Sequence, residues 1–299
     1  CIMKRNYPVG IQNFEEIRKG NYLYIDKTAL IYRFVESGKY YFLSRPRRFG
    51  KSLLISTLEA YFQGRKELFE GLAMETLETE WTEYPILHLD LNTKKYENHS
   101  SLNEILNQHL EKWEAVYGDE KKERSPEERF SYMIEKISTV TGRNVVILID
   151  EYDKPMLQAI GNEALLTDYR NTLKAFYGVM KSCDRYIKFA LLTGVTKFSK
   201  VSVFSDLNNL MDISMSNRFA NLCGITEEEL YSNFQEDIIE LGRQNKLTEE
   251  ETKAALKEMY DGYHFTEESE DIYNPFSLLN TFAEMRFGSY WFETGTPTF

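Results

Sequence analysis

Three consecutive residues, Gly50, Lys51 and Ser52, have the types and the spacing that bind phosphate. A short apolar run at 40–43 precedes them and predicts a strand, and a helical pattern begins at Leu53. Backbone N–H groups at a helix start lack intrahelical partners, and the helix dipole adds partial positive charge there, so this helix start can hold an anion. A lysine here reaches the β- and γ-phosphates of a nucleotide, and a serine hydroxyl here binds Mg²⁺.

The loop before this helix departs from the usual pattern G-x-x-x-x-G-K-[ST] in its first glycine, which Arg45 replaces. Taken alone, the stretch would also suit a basic loop at the start of a surface helix. Gly50 favours the phosphate reading, because a residue without a side chain lets the backbone approach a ligand closely. The residues predicted to bind the phosphates are Arg47, Arg48, Phe49, Gly50, Lys51, Ser52 and Leu53.

Two acids, Asp150 and Glu151, follow the wholly apolar run 145–149. Such a run predicts a central parallel strand, and ligands of open α/β sheets bind at the carboxyl ends of strands. Mg²⁺ prefers one or two carboxylates together with substrate phosphates, so Ser52 and Asp150 are predicted to hold this metal. The alternative is a pair of acids in a solvated turn, which is less consistent with a chain that also carries Gly-Lys-Ser.

Glu151, Lys51 and Thr193 are the predicted catalytic residues. Glu151 is placed to orient or deprotonate an attacking water. Thr193 ends another apolar run, 187–194, and is predicted to contact the γ-phosphate or the water. An adjacent Asp-Glu pair favours an ATPase over a Ras-like GTPase, which relies on a glutamine.

Apolar runs alternate with helical patterns along the first two thirds of the chain, which predicts an α/β fold with a parallel sheet. Beyond Gly224 the pattern becomes helical, with helix starts at Thr226, Thr248 and Asn274 and a turn at 261–265. The predicted division is therefore a core at 1–224 and a helical part at 225–299. The predicted strands are 40–43, 85–91, 145–149, 187–194 and 211–215.

Composition narrows the function classes. The 299 residues are 42% hydrophobic and 28% charged, which is ordinary for a globular protein. A net charge of −11 argues against coating nucleic acid, although it leaves room for a local basic patch. No apolar run has the length of a membrane span. Three widely spaced cysteines favour a reducing compartment, so a cytoplasmic location is expected.

Four segments, 22–28, 44–52, 148–155 and 192–199, resemble the AAA-ATPase-like family of bacterial proteins. The resemblance covers nearly the whole chain, and several motifs occur in the right order. Arg45 departs from the general phosphate-binding loop but agrees with the Arg-Pro-Arg-Arg-Phe-Gly-Lys-Ser form of this family.

The resemblance implies a RecA-like P-loop NTPase with a parallel central sheet flanked by helices, followed by a mostly helical lid. It implies Mg²⁺-dependent ATP binding and hydrolysis that controls an attached effector, since members often carry a C-terminal domain resembling PD-(D/E)xK nucleases. No matching acidic core precedes Phe299, so the chain is expected to be truncated before that domain. The alternatives are a nucleotide-gated switch or scaffold with little turnover, and the ATPase part of a nucleic-acid-processing nuclease.

The sequence leaves three questions open. Either Arg47 or Arg48 could stabilise phosphate charge in cis or face a neighbouring subunit, and Arg48 could instead pair with an acid of the core. Arg218 is a further candidate, near the start of the helical part. Residues 24–27 either lie near the base of a nucleotide or pack as a short strand. A ring and a monomer are equally consistent with the sequence.

Overall fold

The computed structural model describes residues 5–92, 94–263 and 272–289. A five-stranded sheet forms its centre, with the strand order β2-β3-β4-β1-β5 and parallel pairing throughout. This confirms the predicted α/β class with a parallel sheet. The strands are β1 (Tyr40–Ser44), β2 (Ile86–Asp90), β3 (Val145–Asp150), β4 (Ile187–Gly194) and β5 (Met211–Asp212).

The fifth strand is shorter than predicted. It ends at Asp212 rather than at 215, because the carboxylate of Asp212 accepts a hydrogen bond from the backbone N–H of Ser214 at 2.9 Å and turns the chain. Ser214 then uses its hydroxyl to accept from the backbone N–H of Ser44 at 2.9 Å. The turn after β5 therefore anchors the end of β1, where the loop predicted to bind phosphate begins.

Helices cover both faces of the sheet, and each face buries its own apolar cluster. Because side chains alternate between the faces of a strand, Asp150 and Thr193 lie on the face covered by the helix that follows β1, α3 (Lys51–Phe62). One face carries α1 (Phe14–Lys19), α2 (Thr28–Ser37), α3 (Lys51–Phe62) and α4 (Ala73–Leu77). The other carries α5 (His99–Tyr117), α6 (Pro126–Thr141), α7 (Lys154–Gln158), α8 (Glu163–Ser182) and α9 (Lys200–Val203).

The C-terminal part has its own apolar cluster, and three of its helices start where the sequence predicts. Thr226 and Thr248 each form a capping box, and the Asn274 side chain accepts from the backbone N–H of Ser277. The helices are α10 (Glu227–Asn233), α11 (Gln235–Asn245), α12 (Glu249–Tyr260) and α13 (Pro275–Glu284).

A small antiparallel sheet accompanies these helices and was not predicted. Its order is β6-β8-β7, with β6 (Ile225–Thr226), β7 (Asp261–Tyr263) and β8 (Ile272–Tyr273). The predicted turn at 261–265 was wrong for 261–263, while 264 and 265 lie outside the described residues. Strands of two or three residues are too short to show alternation in a sequence. Residues 290–299 of the predicted helical part also lie outside the described ranges.

The N-terminal segment connects the main sheet to the C-terminal part. Residues 22–27 form no strand, so packing of Tyr22 and Tyr24 in a strand is excluded. Lys27 donates from Nζ to the carbonyl oxygen of Asn221 and to the carboxylate of Glu229, both at 2.8 Å. Within the residues described, no helix has both the length and the apolar character to cross a membrane.

Candidate nucleotide-binding site

The loop between β1 and α3 turns through two residues in the left-handed region of backbone space. Arg48 has φ of 61° and Gly50 has φ of 98°. A Cβ atom at position 50 would meet nothing closer than the backbone nitrogen of Gly224 at 3.9 Å. Position 50 therefore requires glycine because of its positive φ, whereas a Cβ atom would find room there. This turn directs the start of α3 to the carboxyl edge of the sheet.

Lys51 is the first residue of α3, and its side chain folds back into the loop. It is 4% exposed, and Nζ donates to the carbonyl oxygens of Arg45 at 2.7 Å and Pro46 at 3.2 Å. The same Nζ lies 3.7 Å from Oε1 of Glu151. The ammonium group is thus surrounded by oxygen atoms, and phosphate oxygens could replace them as stronger, charge-assisted acceptors.

Ser52, Asp150 and Thr193 form a row of hydrogen-bonded side chains. Ser52 donates from Oγ to Oδ2 of Asp150 at 3.2 Å, and Thr193 donates from Oγ1 to Oδ1 of the same carboxylate at 3.1 Å. Asp150 is the middle member of this row. Thr193 lies beside it because β4 pairs directly with β3, with Ile149 opposite Leu192. A hydroxyl and a carboxylate that already meet are the oxygen donors that Mg²⁺ prefers, so these residues fit that metal.

Burial raises the pKa of the Asp150 carboxyl, and the neighbouring charge of Asp90, its register partner on β2, raises it further. Burial also raises the pKa of Glu151, against the opposing charges of Lys51 and Arg47. Glu151 has φ of 58°, an unusual backbone conformation for this residue type. The carboxylates of Asp150 and Glu151 have therefore lost part of their hydration, and an added cation would stabilise their charged forms.

The sequence analysis did not identify Asp153, which holds together the two segments that follow β3 and β4. It is fully buried, and its carboxylate accepts from the backbone N–H of Thr196 at 2.8 Å, from the Thr196 hydroxyl at 2.9 Å and from the backbone N–H of Val195. These bonds join the segment after β3 to the segment after β4 and so fix the position of Thr193. A second acid two residues after Glu151 was a visible signal, but its role depends on the strand order.

The arginines separate into different environments. Arg45 is 1% exposed and donates to the carbonyl oxygens of Ser214 at 2.6 Å, Ser44 at 2.9 Å and Ala220 at 3.4 Å, so it stabilises the loop from inside the fold. Arg218 donates to the hydroxyl of Ser37 at 3.0 Å, near the amino end of β1 and away from the loop. Arg47 and Arg48 are exposed, and the guanidinium carbon of Arg48 lies 4.6 Å from the ring centre of Phe276.

A largely apolar cleft of about 120 Å³ opens beside Gly50. Its walls come from the N-terminal segment, the start of α3, the residues around Gly224 and the first turns of α13. Arg48 and Leu53 line it, whereas the side chain of Phe49 is buried in the core. The lining also includes Tyr24, Ile25, Lys27, Thr57, Ile225, Pro275, Phe276 and Leu279.

The family model described as "Predicted AAA-ATPase" matches residues 8–204. The chain belongs to this AAA-ATPase-like family. The match includes the loop between β1 and α3, Asp150, Glu151 and Thr193, while the cleft wall supplied by α13 lies beyond it. Membership of this family supports nucleotide binding.

The curated relatives of this AAA-ATPase-like chain include the "Uncharacterized protein in vnfD 5'region" of Azotobacter chroococcum mcd 1. The two are 39% identical over 300 residues, a match that covers 100% of this chain and 56% of the relative. The chain therefore spans little more than half the length of that protein. No solved structure matches the chain.

Proposed function

We propose that the protein binds ATP with Mg²⁺ and hydrolyses it. The observation that carries this proposal is the hydrogen-bonded row of Ser52, Asp150 and Thr193, beside the Lys51–Glu151 pair and at the same edge of the sheet. Phosphoryl transfer depends mainly on positioning and on charge stabilisation, and these side chains supply a cation, a metal site and a base. Family membership supports the same activity.

Each residue has a defined role in this proposal. Lys51 leaves the carbonyl oxygens of its own loop and binds the β- and γ-phosphates. Ser52 and Asp150 would hold Mg²⁺, which would supply positive charge against the phosphates. Glu151 accepts a proton from the attacking water, and Thr193 orients that water or the γ-phosphate. The phosphate contacts come from the loop and the first turn of α3, namely Arg47, Arg48, Phe49, Gly50, Lys51, Ser52 and Leu53.

The apolar cleft beside Gly50 is the proposed site of the adenine base. It opens next to the phosphate seat, and its lining is mainly apolar. A base enclosed there would contact residues from both the core and α13. The strand order supports a RecA-like core at 1–224, and the walls supplied by Gly224, Ile225 and α13 support a lid at 225–299.

Control of an attached effector domain is the proposed use of the hydrolysis. The length of the Azotobacter relative supports it, because nearly half of that protein lies outside the match. A nucleotide-gated switch with little turnover is the second candidate. It is favoured by the position of Lys51, which is held by its own loop and by Glu151. The proposed location is cytoplasmic.

Phosphate release and ATP affinity should be measured for the wild type, Lys51→Ala and Glu151→Gln. Lys122→Ala, in an exposed loop, serves as the matched control. We expect Glu151→Gln to bind ATP while hydrolysis falls by ~10²-fold or more, as for loss of a general base. Lys51→Ala should lose affinity as well as rate. Equal rates in all four proteins would exclude the proposed hydrolysis, and tight binding without phosphate release would favour the switch.

A further inference from the structure

Lys188 is exposed, whereas the other residues of β4 are buried. The register with β3 shifts here: consecutive residues of β3 lie opposite Ile187 and Phe189, which leaves Lys188 between them as an extra residue. A bulge of this kind redirects a side chain and is often found where a protein uses that side chain. The ammonium group of Lys188 lies 5.3 Å from the ring centre of Tyr84, at the amino edge of the sheet.

Two arginines lie near Lys188 on the same edge. Arg185 lies two residues before β4 and Arg143 two residues before β3. The side chain of Asn144 donates to the carbonyl oxygen of Arg185 at 3.1 Å and so joins the two turns. The guanidinium carbon of Arg185 lies 4.8 Å from the ring centre of Tyr186. Both arginines are exposed, and we call Arg143, Arg185 and Lys188 the amino-edge cations.

The amino-edge cations are not neutralised by ion pairs. Within the described ranges 5–92, 94–263 and 272–289, no carboxylate lies within ion-pair distance of any of the three. Asp184, next to Arg185 in the chain, is already paired with Lys39 at 2.9 Å. The negative charge nearest in sequence to Arg185 is therefore balanced by another cation.

The remaining charges of this part of the edge leave an excess of cations. Glu83 and Glu135 are exposed acids near the amino-edge cations, and Lys181 in the last turn of α8 is a further exposed cation. The C-termini of α6 and α8 attract cations and account for part of this charge. Lys188 lies in a strand, so its exposure has no such cause. Positive charge is thus concentrated here in a chain whose net charge is −11.

Aromatic rings accompany two of these cations. Tyr84 beside Lys188 and Tyr186 beside Arg185 are half-buried, so part of each ring is exposed. Phosphate oxygens accept strong hydrogen bonds from ammonium and guanidinium groups, and bases stack on aromatic and guanidinium planes. An acidic peptide would use the charges but not the rings. The combination therefore fits a nucleic acid better than an acidic protein segment.

We propose that the amino-edge cations bind single-stranded nucleic acid, with phosphates on the cations and bases against Tyr84 and Tyr186. An unpaired strand is required because its bases are free to stack on the protein. The site is separate from the proposed nucleotide site, since the six residues of β3 place about 20 Å between Arg143 and Asp150. Both ligands can therefore be bound at once, and the proposal does not rest on ATP hydrolysis.

Fluorescence anisotropy of a labelled oligodeoxythymidine, measured over a range of salt concentrations, tests the electrostatic part. The wild type should bind with a Kd of about 10⁻⁶ to 10⁻⁴ M near physiological salt and more tightly at low salt. Arg143→Ala, Arg185→Ala and Lys188→Ala should each weaken binding by about 5-fold and reduce the slope of log K against log salt by about 0.7. Lys122→Ala, in an exposed loop, is the matched control.

Loss of a stacked base should have a different signature. Tyr186→Ala is expected to weaken binding by about 10-fold without changing the salt slope, whereas Tyr186→Phe, which keeps the ring but not the bond to Glu135, should retain affinity. All variants should keep the affinity for ADP with Mg²⁺, which shows that they are folded.

Three results would overturn the proposal. The first is no binding by the wild type at low salt, and the second is equal affinity of the control and of the variants in the amino-edge cations. The third is binding of polyglutamate, or of the same oligonucleotide annealed to its complement, as tight as that of the single strand. Polyglutamate would indicate an acidic protein partner, and the annealed form would show that the rings do not stack on bases.

Discussion

Ser52 donates a hydrogen bond from Oγ to Oδ2 of Asp150 at 3.2 Å, although 98 positions separate the two residues in sequence. The contact joins the first turn of α3 to the end of β3. It brings together a neutral and a charged oxygen donor, and these two residues would hold Mg²⁺ in the proposed function.

Ser52→Ala should weaken metal binding more than nucleotide binding. The Mg²⁺ concentration that gives half-maximal phosphate release is expected to rise by about 10-fold or more, since even outer-shell partners of metals are worth that much. Metal titrations at saturating ATP measure the effect. Ser182→Ala, at the end of α8, is a matched control. An unchanged metal requirement in Ser52→Ala would show that the hydroxyl does not bind the metal.

Arg45→Gly restores the glycine of the general phosphate-binding pattern, yet it should destabilise the protein. Three carbonyl oxygens, those of Ser44, Ser214 and Ala220, would lose their buried donor. We expect the free energy of unfolding in urea to fall by about 2–4 kcal/mol. Arg45→Lys should lie in between, because lysine cannot donate through a fork. Unchanged stability with improved ATP binding would contradict this account.

Phe276→Ala should weaken ATP and ADP alike. Phe276 lines the cleft and lies under the guanidinium group of Arg48, so its ring forms part of the wall beside the proposed base. A loss of about 10-fold in the affinity of both nucleotides is expected, as for removal of an aromatic contact to a base. Inorganic tripolyphosphate, which has no base, should bind as before. Phe276→Tyr keeps the ring and should retain affinity. If Phe276→Ala weakened tripolyphosphate binding equally, the ring would act on the phosphates and not on the base.

Asp153→Asn should affect both stability and turnover. An amide presents only one oxygen to the hydrogen-bond donors of Val195 and Thr196, and its NH₂ group would face some of them. We expect a loss of about 2 kcal/mol in unfolding free energy and a lower kcat, because Thr193 loses its support. Asp206→Asn, an exposed acid, is the control. Normal turnover in Asp153→Asn would show that this buried carboxylate does not position Thr193.

Local pattern was enough to predict the α/β class, most strands and several helix starts. Runs such as 145–149 are apolar because both faces of the sheet are covered, and Thr226 and Thr248 are recognisable caps. The positions of Gly50, Lys51 and Ser52 at a helix start also follow from adjacent residues. In these cases the interactions that determine the structure lie within one helix or strand, so a short stretch of sequence is enough to predict them.

The environments of Arg45, Arg47 and Arg48 could not be predicted, since they depend on contacts distant in sequence. Arg45 bonds to carbonyl groups of residues 214 and 220, and Arg48 packs on Phe276. The place of β4 between β1 and β3 was equally hidden, because strand order is a property of the whole sheet. It is this order that gives Thr193 and Asp153 their positions.

The cleft beside Gly50 has a consequence for folding during synthesis on the ribosome. One wall comes from residues 8–12 and another from α13, near the end of the described residues. A chain emerging from the ribosome exposes its phosphate loop long before α13 can fold against it. On the proposed function, nascent chains would therefore hold a nucleotide poorly until α13 has folded against the rest of the cleft.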